Sequence, residues 1–354
     1  MNSRDRVITA IEHNEPDRVP LTVDMEKEVQ EMLFDHLGIS TREELWDAIH
    51  IDTWLVGARV EDPDPDAEVP EGENKSVWGY RTRTVAYGKG TYNEQVYYPL
   101  AGNITKEDVD RYTIPDPDKV SFDPIRKARQ NHPERAIIAH ITHGGYFNAT
   151  FLRGLEQYLM DLFIDYDLAE HLVNRANEFI IPAIERLADE ASDSFDIFYI
   201  ADDYCDGSRP LFPPDIFKKL VKPYLADIAD IIHGAGKKFL LHVCGAMREI
   251  LPDIIDAGVD LIEPVQTSAA GMEPEGLKRD FGDDLAFYGS IDLVNVLNKC
   301  TVEEIKEEVR KNIRILGKGG GLILGPGHTY IQIDAPAENI IAMYETAYEE
   351  GRYS

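Results

Sequence analysis

The sequence predicts a (β/α)8 (TIM) barrel, and three observations lead to this prediction. Short apolar runs alternate with helical segments along most of the chain, and these runs number eight. No glycine-rich fingerprint follows any of the predicted strands, as it would in the alternative fold, a doubly wound sheet that binds a dinucleotide. The length of 354 residues suits one barrel domain over residues 1–354.

Each predicted strand is a short apolar run with too few residues for a helix. The strands are predicted at residues 21–24, 52–60, 136–142, 195–201, 238–245, 260–263, 285–290 and 321–325. The helices are predicted at residues 4–12, 25–36, 41–50, 152–190, 214–234, 247–257, 274–281, 301–316 and 336–349. The helix at residue 41 is the best marked, because Thr41 with Glu44 three residues later forms a capping box.

The segment 61–117 departs from this alternation. It begins with acidic residues and prolines. Residues 76–87 and 91–100 then alternate aromatic or β-branched residues with polar ones, and a glycine-containing turn separates the two runs. We therefore expect an antiparallel β-hairpin, inserted after the second barrel strand, that covers one mouth of the barrel.

Composition and charge exclude several classes of function. The formal net charge of −29 argues against nucleic acid or an anionic membrane as partner, since both bind positively charged surfaces. The sequence has no apolar run of 18 residues that could span a membrane, and residues 1–6 lack the apolar core of a signal peptide. Three cysteines at irregular spacing indicate a reducing compartment. We therefore expect a cytoplasmic protein.

The polar residues at the predicted strand ends indicate where chemistry takes place. The catalytic groups of a barrel gather at the carboxyl ends of its strands. These ends carry Asp24, Arg59, His140, His143, Asp202, Asp203, His242, Cys244, Glu263, Gln266, Tyr288, Ser290, Asp292 and His328. Each one alone is compatible with a satisfied polar group at a strand end. The whole set predicts one pocket at the mouth of the barrel.

Four of these residues have the chemistry of a metal site. His242 and Cys244 are two apart in a strand, so both side chains point to the same side. A buried histidine beside a buried cysteine is the alternative for so short a pattern. Glu263 and His328 follow the sixth and eighth predicted strands, in the same half of the barrel, and complete a set of N, S, O and N donors that Zn²⁺ accepts. We predict a zinc ion that lowers the pKa of a bound alcohol or thiol, or polarises a leaving atom.

Four segments of the chain resemble the uroporphyrinogen decarboxylase superfamily. They are RDRV at 4–7 with EPDRVP at 15–20, ADD at 201–203, LHVCG at 241–245, and APAENI at 335–340. The resemblance extends over nearly the whole chain. It implies a (β/α)8 barrel, in agreement with the strand count.

The resemblance implies one of two activities. The true decarboxylases carry an Arg-Gln-Ala-Gly-Arg element that grips the carboxylates of a porphyrinogen, and the acidic stretch 17–28 lacks it. The corrinoid-linked methyltransferases, which include coenzyme M methyltransferases, use a His-x-Cys…Cys zinc site that His242 and Cys244 match. Their second cysteine falls near the end of the eighth strand, where this chain has His328, either as a replacement ligand or as a residue that contacts the substrate. The zinc set of cobalamin-independent methionine synthases also resembles this arrangement and includes a glutamate, as Glu263 would be here.

The expected function is therefore zinc-dependent methyl transfer, as in O-demethylation. A methyl group would move between a small methylated substrate (methoxyl, methylamine or thiol type) and the cobalt of a separate corrinoid protein. The residues expected to bind the substrate or protonate its leaving group are His140, Asp202, Asp203 and Tyr288. Cobalamin is expected only on the partner, because the chain has no Asp-x-His-x-x-Gly motif.

The sequence leaves two other functions open. One is a decarboxylase or lyase that acts on a smaller substrate and needs no metal. The other is a non-catalytic protein of a corrinoid pathway. The sequence also leaves the oligomeric state open, and a homodimer is one of the states that it allows.

Overall fold

A parallel sheet of seven strands forms the centre of the computed structural model, which describes residues 1–353. The strands within these residues are β1 (Thr53–Gly57), β2 (Glu73–Lys75), β3 (Arg81–Tyr87), β4 (Gly90–Tyr97), β5 (Ala136–His140), β6 (Ile197–Ala201), β7 (Lys238–His242), β8 (Leu261–Glu263), β9 (Ala286–Tyr288) and β10 (Leu322–Ile323). The parallel sheet has the order β1-β5-β6-β7-β8-β9-β10, so each strand pairs with the next one along the chain. This order is the one expected when every crossover has the same hand.

The segment around Leu21 connects the two edge strands of this sheet. On one side, the Leu324 amide donates to the Pro20 carbonyl at 2.8 Å and the Thr22 amide donates to the Leu324 carbonyl at 2.9 Å. On the other side, the Asp52 amide, just before β1, donates to the Leu21 carbonyl at 2.8 Å. The segment predicted as the first strand therefore occupies the eighth position of the ring, but it forms isolated parallel bridges instead of a regular strand.

The helices lie between the strands in sequence. They are α1 (Ser3–Ile11), α2 (Lys27–Leu37), α3 (Arg42–Ala48), α4 (Lys106–Arg111), α5 (Asp123–Asn131), α6 (Gly145–Arg153), α7 (Leu155–Ile164), α8 (Tyr166–Ala191), α9 (Pro214–Ile216), α10 (Lys222–Gly234), α11 (Leu251–Asp256), α12 (Pro274–Phe281), α13 (Val302–Leu316) and α14 (Ala337–Glu350). Short 3-10 turns occupy 117–119 and 192–194, and π-helical turns occupy 217–221 and 293–297. No helix within residues 1–353 has the length and apolar character needed to cross a membrane.

Two expectations about the helices have clear outcomes. The capping box of Thr41 and Glu44 is present at the start of α3, as predicted. The stretch 152–190 is mostly helical, as predicted, and it is divided among α6, α7 and α8. Gly154 has φ of +90°, a conformation that ends α6, and the Asp165 side chain caps α8 by accepting the Leu168 amide at 3.2 Å.

The segment between β1 and β5 contains a separate antiparallel sheet of three strands, in the order β2-β3-β4. β3 and β4 form the hairpin that alternation predicts, and β2 adds a strand that the sequence did not reveal. This sheet packs on the carboxyl ends of the parallel strands. The Trp78 indole donates to the Thr142 hydroxyl at 3.0 Å, and the Gln95 amide donates to the Phe151 carbonyl at 2.6 Å.

The amino ends of the strands are closed by buried ion pairs. Asp52, which directly precedes β1, is fully buried and accepts from Arg6 at 2.7 Å and from Arg18 at 2.8 Å. Asp196 precedes β6, and its carboxylate accepts from Arg4 at 2.7 Å. These contacts tie α1 and the following turn to the sheet. They leave the opposite, carboxyl end as the accessible side of the ring.

Candidate active site

The carboxyl ends of the parallel strands surround a cavity of about 340 Å³. Its wall is mainly apolar and aromatic, and Trp78 and Tyr80 from the antiparallel sheet form part of it. The residues of the predicted strand-end set that line it are Asp24, His140, His143, Glu263, Tyr288 and His328. The prediction of one pocket at the mouth thus agrees with the position of these six side chains.

Beside this cavity, three potential metal ligands converge. One ligand atom each from Asp203, His242 and Cys244 lies within 4.8 Å of the other two. The His242 Nε2 atom is 3.5 Å from the Cys244 Sγ atom and 3.5 Å from the Asp203 Oδ1 atom. The Cys244 amide donates to the same Asp203 oxygen at 2.8 Å, which fixes the carboxylate between the two strand ends. Asp203 was predicted as a catalytic residue, and it lies in this cluster.

Glu263 holds the other nitrogen of the His242 ring. In the register of β7 and β8 the two residues are partners, and the His242 Nδ1 atom is 2.5 Å from the Glu263 Oε2 atom. A carboxylate on one ring nitrogen orients the imidazole so that the other nitrogen faces a metal. Direct ligation by Glu263 remains a prediction. The contact in the structure is the hydrogen bond to His242, which aims Nε2 at Cys244 and Asp203.

The ionisable groups in this cluster stabilise one another's charged forms. Burial disfavours a charge on His242, but the acidic groups around it outweigh burial and raise its pKa well above the ordinary value. Burial alone would raise the pKa of Asp203, yet His242 and the Cys244 amide lower it below its ordinary value. A protonated His242 and an ionised Asp203 therefore stabilise each other. A metal that bound the Nε2 atom of His242 would have to displace a proton there.

His328 lies in the cavity wall, outside the three-residue cluster. Within residues 1–353 its buried Nδ1 atom has no hydrogen-bond partner. Burial lowers the pKa of His328, and the charge on His242 lowers it further. The ring is therefore neutral at pH 7, and a neutral imidazole has one nitrogen that can accept a hydrogen bond or bind a metal. Its role as a metal ligand remains a prediction.

Asp202 occupies a sealed position, although it is adjacent to Asp203 in the sequence. It is fully buried, and its carboxyl accepts hydrogen bonds from the Tyr204 hydroxyl at 2.8 Å, the Phe147 amide at 2.6 Å and the Tyr224 hydroxyl. Burial raises the pKa of Asp202 to about 7. It does not line the cavity. Its predicted catalytic role has no geometric support, because all of its visible partners belong to the core.

His140 and Tyr288, the other predicted catalytic residues, do line the cavity. Burial lowers the pKa of His140 and raises that of Tyr288 well beyond its ordinary value, so both are uncharged at pH 7. The Tyr288 hydroxyl is hydrogen-bonded to the Thr22 hydroxyl. These residues can accept or donate hydrogen bonds to a substrate without adding charge to the cavity.

Sequence reasoning missed several wall residues. Tyr199 lies two residues before Ala201 in β6, and the period of a strand could have placed both on the inner side. Trp78, Tyr80 and Tyr330 lie outside the parallel strands, and no strand periodicity indicates where they point.

Comparison with known proteins identifies the family of the chain and two curated relatives. The family model for uroporphyrinogen decarboxylase (URO-D) matches residues 91–350. One curated relative is the methylcobamide:CoM methyltransferase MtaA of Methanosarcina barkeri strain Fusaro, which is 26% identical over 180 residues, or 50% of this chain and 48% of the relative. A second methylcobamide:CoM methyltransferase MtaA of Methanosarcina barkeri is 26% identical over 177 residues, with the same coverage of 50% and 48%. The chain spans about half the length of the curated relatives that it matches.

A solved structure matches the whole chain. A methyltransferase from Methanosarcina mazei superposes with a TM-score of 0.71 and 19% identity, and the match covers 99% of both chains. At this level of identity the likeness shows a shared fold. The resemblance found from the sequence motifs is therefore confirmed by the family match and by the fold.

Proposed function

The chain belongs to the uroporphyrinogen decarboxylase family, and we propose that it is a zinc-dependent methyltransferase. It moves a methyl group between a small methylated substrate, of methoxyl, methylamine or thiol type, and the cobalt of a separate corrinoid protein. The relatives that carry the name methylcobamide:CoM methyltransferase support this choice within the family. The observation that carries the proposal is the convergence of Asp203, His242 and Cys244 beside a largely apolar cavity.

The residues present fit a zinc ion. His242, Cys244 and Asp203 would hold it with nitrogen, sulfur and oxygen donors, a mixture that zinc accepts. Glu263 occupies the Nδ1 side of His242 and leaves Nε2 for the metal. The unpartnered Nδ1 atom of His328 would be a further donor, in the position where the family's second cysteine is expected. Three protein ligands leave the fourth zinc position open for a substrate atom.

When bound, zinc supplies Lewis acidity at the heteroatom that carries the methyl group. The protein's own contribution is position and exclusion of water. The aromatic and aliphatic wall holds the substrate in a dry site, where in-line approach of the acceptor is set by the cavity shape. Tyr288, held by Thr22, and His140 provide neutral polar contacts that orient the substrate.

The charge of the cavity separates this function from porphyrinogen decarboxylation. Among residues 1–353, no lysine or arginine lines the cavity. A substrate with many carboxylates needs such cations. Arg18, the arginine of the stretch 17–28, is buried at the opposite end of the ring in its ion pair with Asp52. This distribution disfavours a polycarboxylate substrate.

The first test is the metal content of the purified protein beside two cysteine variants. We expect close to one zinc per chain in the wild type and a nearly complete loss in Cys244→Ala, because that variant removes the sulfur ligand. Cys300→Ala is the matched control, since the Cys300 thiol hydrogen-bonds to the Asn295 carbonyl at 3.5 Å and does not line the cavity. His328→Ala, measured in parallel, shows whether that histidine is a ligand.

The second part of this test is turnover. The wild type is expected to methylate a reduced corrinoid protein, followed by the change in its visible absorbance, and Cys244→Ala to lose this activity while keeping its unfolding temperature. A wild type without metal after growth with added zinc would contradict the proposal. Zinc that is bound as strongly by Cys244→Ala as by the wild type would also contradict it.

A further inference from the structure

We propose that Asp24 is the acid that protonates the leaving oxygen when a methyl ether is the methyl donor. The inference rests on the function proposed above and assigns a step within it. Asp24 follows the segment that joins the two edges of the sheet, and its side chain lines the cavity. It thus lies in the wall of the same cavity as Glu263, which holds His242.

The surroundings of Asp24 leave one carboxyl oxygen free for a ligand. Oδ1 accepts a hydrogen bond from the Met25 amide at 2.9 Å. In the described part of the chain, residues 1–353, no other hydrogen bond or ion pair reaches this carboxyl. A carboxyl that is largely enclosed, faces a cavity and keeps one oxygen unpartnered is placed to exchange a proton with whatever fills that cavity.

The charged and titratable groups around Asp24 come from several elements. They are Arg42 on α3, Glu263 at the end of β8, Tyr288 at the end of β9, Tyr330 in the last loop and Tyr344 on α14. Burial is the largest influence and raises the pKa of Asp24 to about 7; Arg42 and the Met25 amide oppose this, and Glu263 adds to it. A large fraction of the carboxyl is therefore protonated near neutral pH, which is what a general acid needs.

The three histidines of the cavity are less suitable as proton donors. Burial lowers the pKa of His140, of His328, and of His143, the last to about 4. All three are therefore neutral at pH 7, and a neutral imidazole is a very weak acid.

The remaining acids of the site fail for other reasons. Burial raises the pKa of Tyr288 so far that its hydroxyl does not readily give up a proton to the leaving oxygen. Asp203 has a lowered pKa and is ionised. Asp202 has a pKa of about 7, as Asp24 has, but it is sealed by Tyr204, Tyr224 and the Phe147 amide. Asp24 is the one acid among these that combines a proton with access to the cavity.

The proposed step transfers the methyl group from the ether oxygen to cobalt. The carbon–oxygen bond of the ether breaks, and its electron pair stays on oxygen. The Co(I) centre of the corrinoid partner supplies the pair for the new cobalt–carbon bond and becomes formally Co(III). The Asp24 proton moves to the oxygen, the product leaves as a neutral alcohol or phenol, and the Asp24 carboxylate takes up a proton from solvent before the next turnover.

The experiment compares Asp24→Asn with Asp334→Asn, an exposed aspartate that does not line the cavity. The probes are two methyl ethers, methoxybenzene and 4-nitromethoxybenzene, with the corrinoid partner in its Co(I) state. We expect Asp24→Asn to lower kcat on methoxybenzene by about 10²–10⁴-fold, with little change in KM. On 4-nitromethoxybenzene the loss is expected to be much smaller, because the nitrophenolate leaves without a proton.

The pH profile is a second readout that a structural role would not alter. Wild-type kcat on methoxybenzene is expected to fall as the pH rises through about 7, the pKa of Asp24, since the protonated acid is the active form. Asp24→Asn is expected to lose this limb, and Asp334→Asn to keep it. Equal losses on both ethers, or a pH limb that persists in Asp24→Asn, would overturn the inference.

The inference and the proposed function fail in different ways. A wild type that binds zinc and transfers methyl groups only from thiol or amine donors, and from neither ether, would overturn the role of Asp24 and leave the methyltransferase standing. A wild type that neither binds zinc nor methylates the corrinoid with any donor would overturn the function itself.

Discussion

The two ends of the strand ring treat buried charge in opposite ways. At the amino ends, Asp52 is fully buried and accepts hydrogen bonds from Arg6, Arg18 and the Leu21 amide. At the carboxyl ends, Asp24 and His328 keep polar atoms that form no hydrogen bond within residues 1–353. The amino end is satisfied within the protein and contributes stability, whereas the carboxyl end leaves groups free for ligands. This division is typical of barrel enzymes.

Asp24 and Asp202, both at the carboxyl ends of the strands, differ in their hydrogen bonds although their pKa values are similar. Burial raises the pKa of both Asp24 and Asp202 to about 7. Three donors hydrogen-bond to the Asp202 carboxyl, whereas within residues 1–353 the Asp24 carboxyl accepts a single hydrogen bond, from a backbone amide. An altered pKa alone therefore does not identify a catalytic group, and access to the cavity has to decide.

The largest effect of a substitution is expected at the amino ends of the strands, on the free energy of unfolding. Asp52→Ala leaves the buried guanidinium of Arg18 without a carboxylate and removes one of the two that pair with Arg6. We expect the free energy of unfolding to fall by about 3–5 kcal/mol, as for other buried ion pairs that lose one partner. Chemical denaturation measures this, with exposed Asp118→Ala as control. A loss below about 1 kcal/mol would mean that this end does not depend on its ion pairs.

At the carboxyl ends of the strands, Glu263→Gln tests whether the Glu263 carboxylate supports His242 as a metal ligand. The amide no longer balances the charge on His242 and holds its Nδ1 side less firmly. Zinc affinity is expected to fall by about 10–100-fold. Titration with a competing chelator measures the affinity, and exposed Glu273→Gln is the matched control. Unchanged affinity would remove Glu263 from the metal site.

The smallest effect is expected at Gly57, where β1 passes beneath His140. A Cβ atom added there would lie 2.8 Å from the His140 Nε2 atom, so the ring would have to leave its rotamer. Such a displacement costs about 0.5–1.5 kcal/mol. Gly57→Ala is therefore expected to raise KM by roughly 2- to 10-fold with little change in stability. Gly207→Ala, where an added Cβ meets nothing within 4 Å, is the control, and an equal KM in the two variants would exclude His140 from substrate contact.

Local patterns alone determined a large part of this structure. The seven parallel strands of the sheet fall within predicted segments, because each is a short buried apolar run that its own residues specify. The pairing of His242 with Cys244 was also predictable, since two residues in one strand share a side by geometry. The motifs indicated the family for the same reason, as each lies within a few consecutive residues.

Only the tertiary structure decided how distant residues combine. Asp203 lies near the Nε2 atom of His242 and Glu263 near the Nδ1 atom, because strand register and loop path determine which carboxylate contacts which ring nitrogen. Asp202 and Asp203 are neighbours in sequence, yet one is sealed by tyrosines and the other faces the cluster. Within a strand, two or three consecutive residues are enough to determine on which side each side chain lies. Access to a cavity depends on packing between elements far apart in the chain, and that packing singled out Asp24.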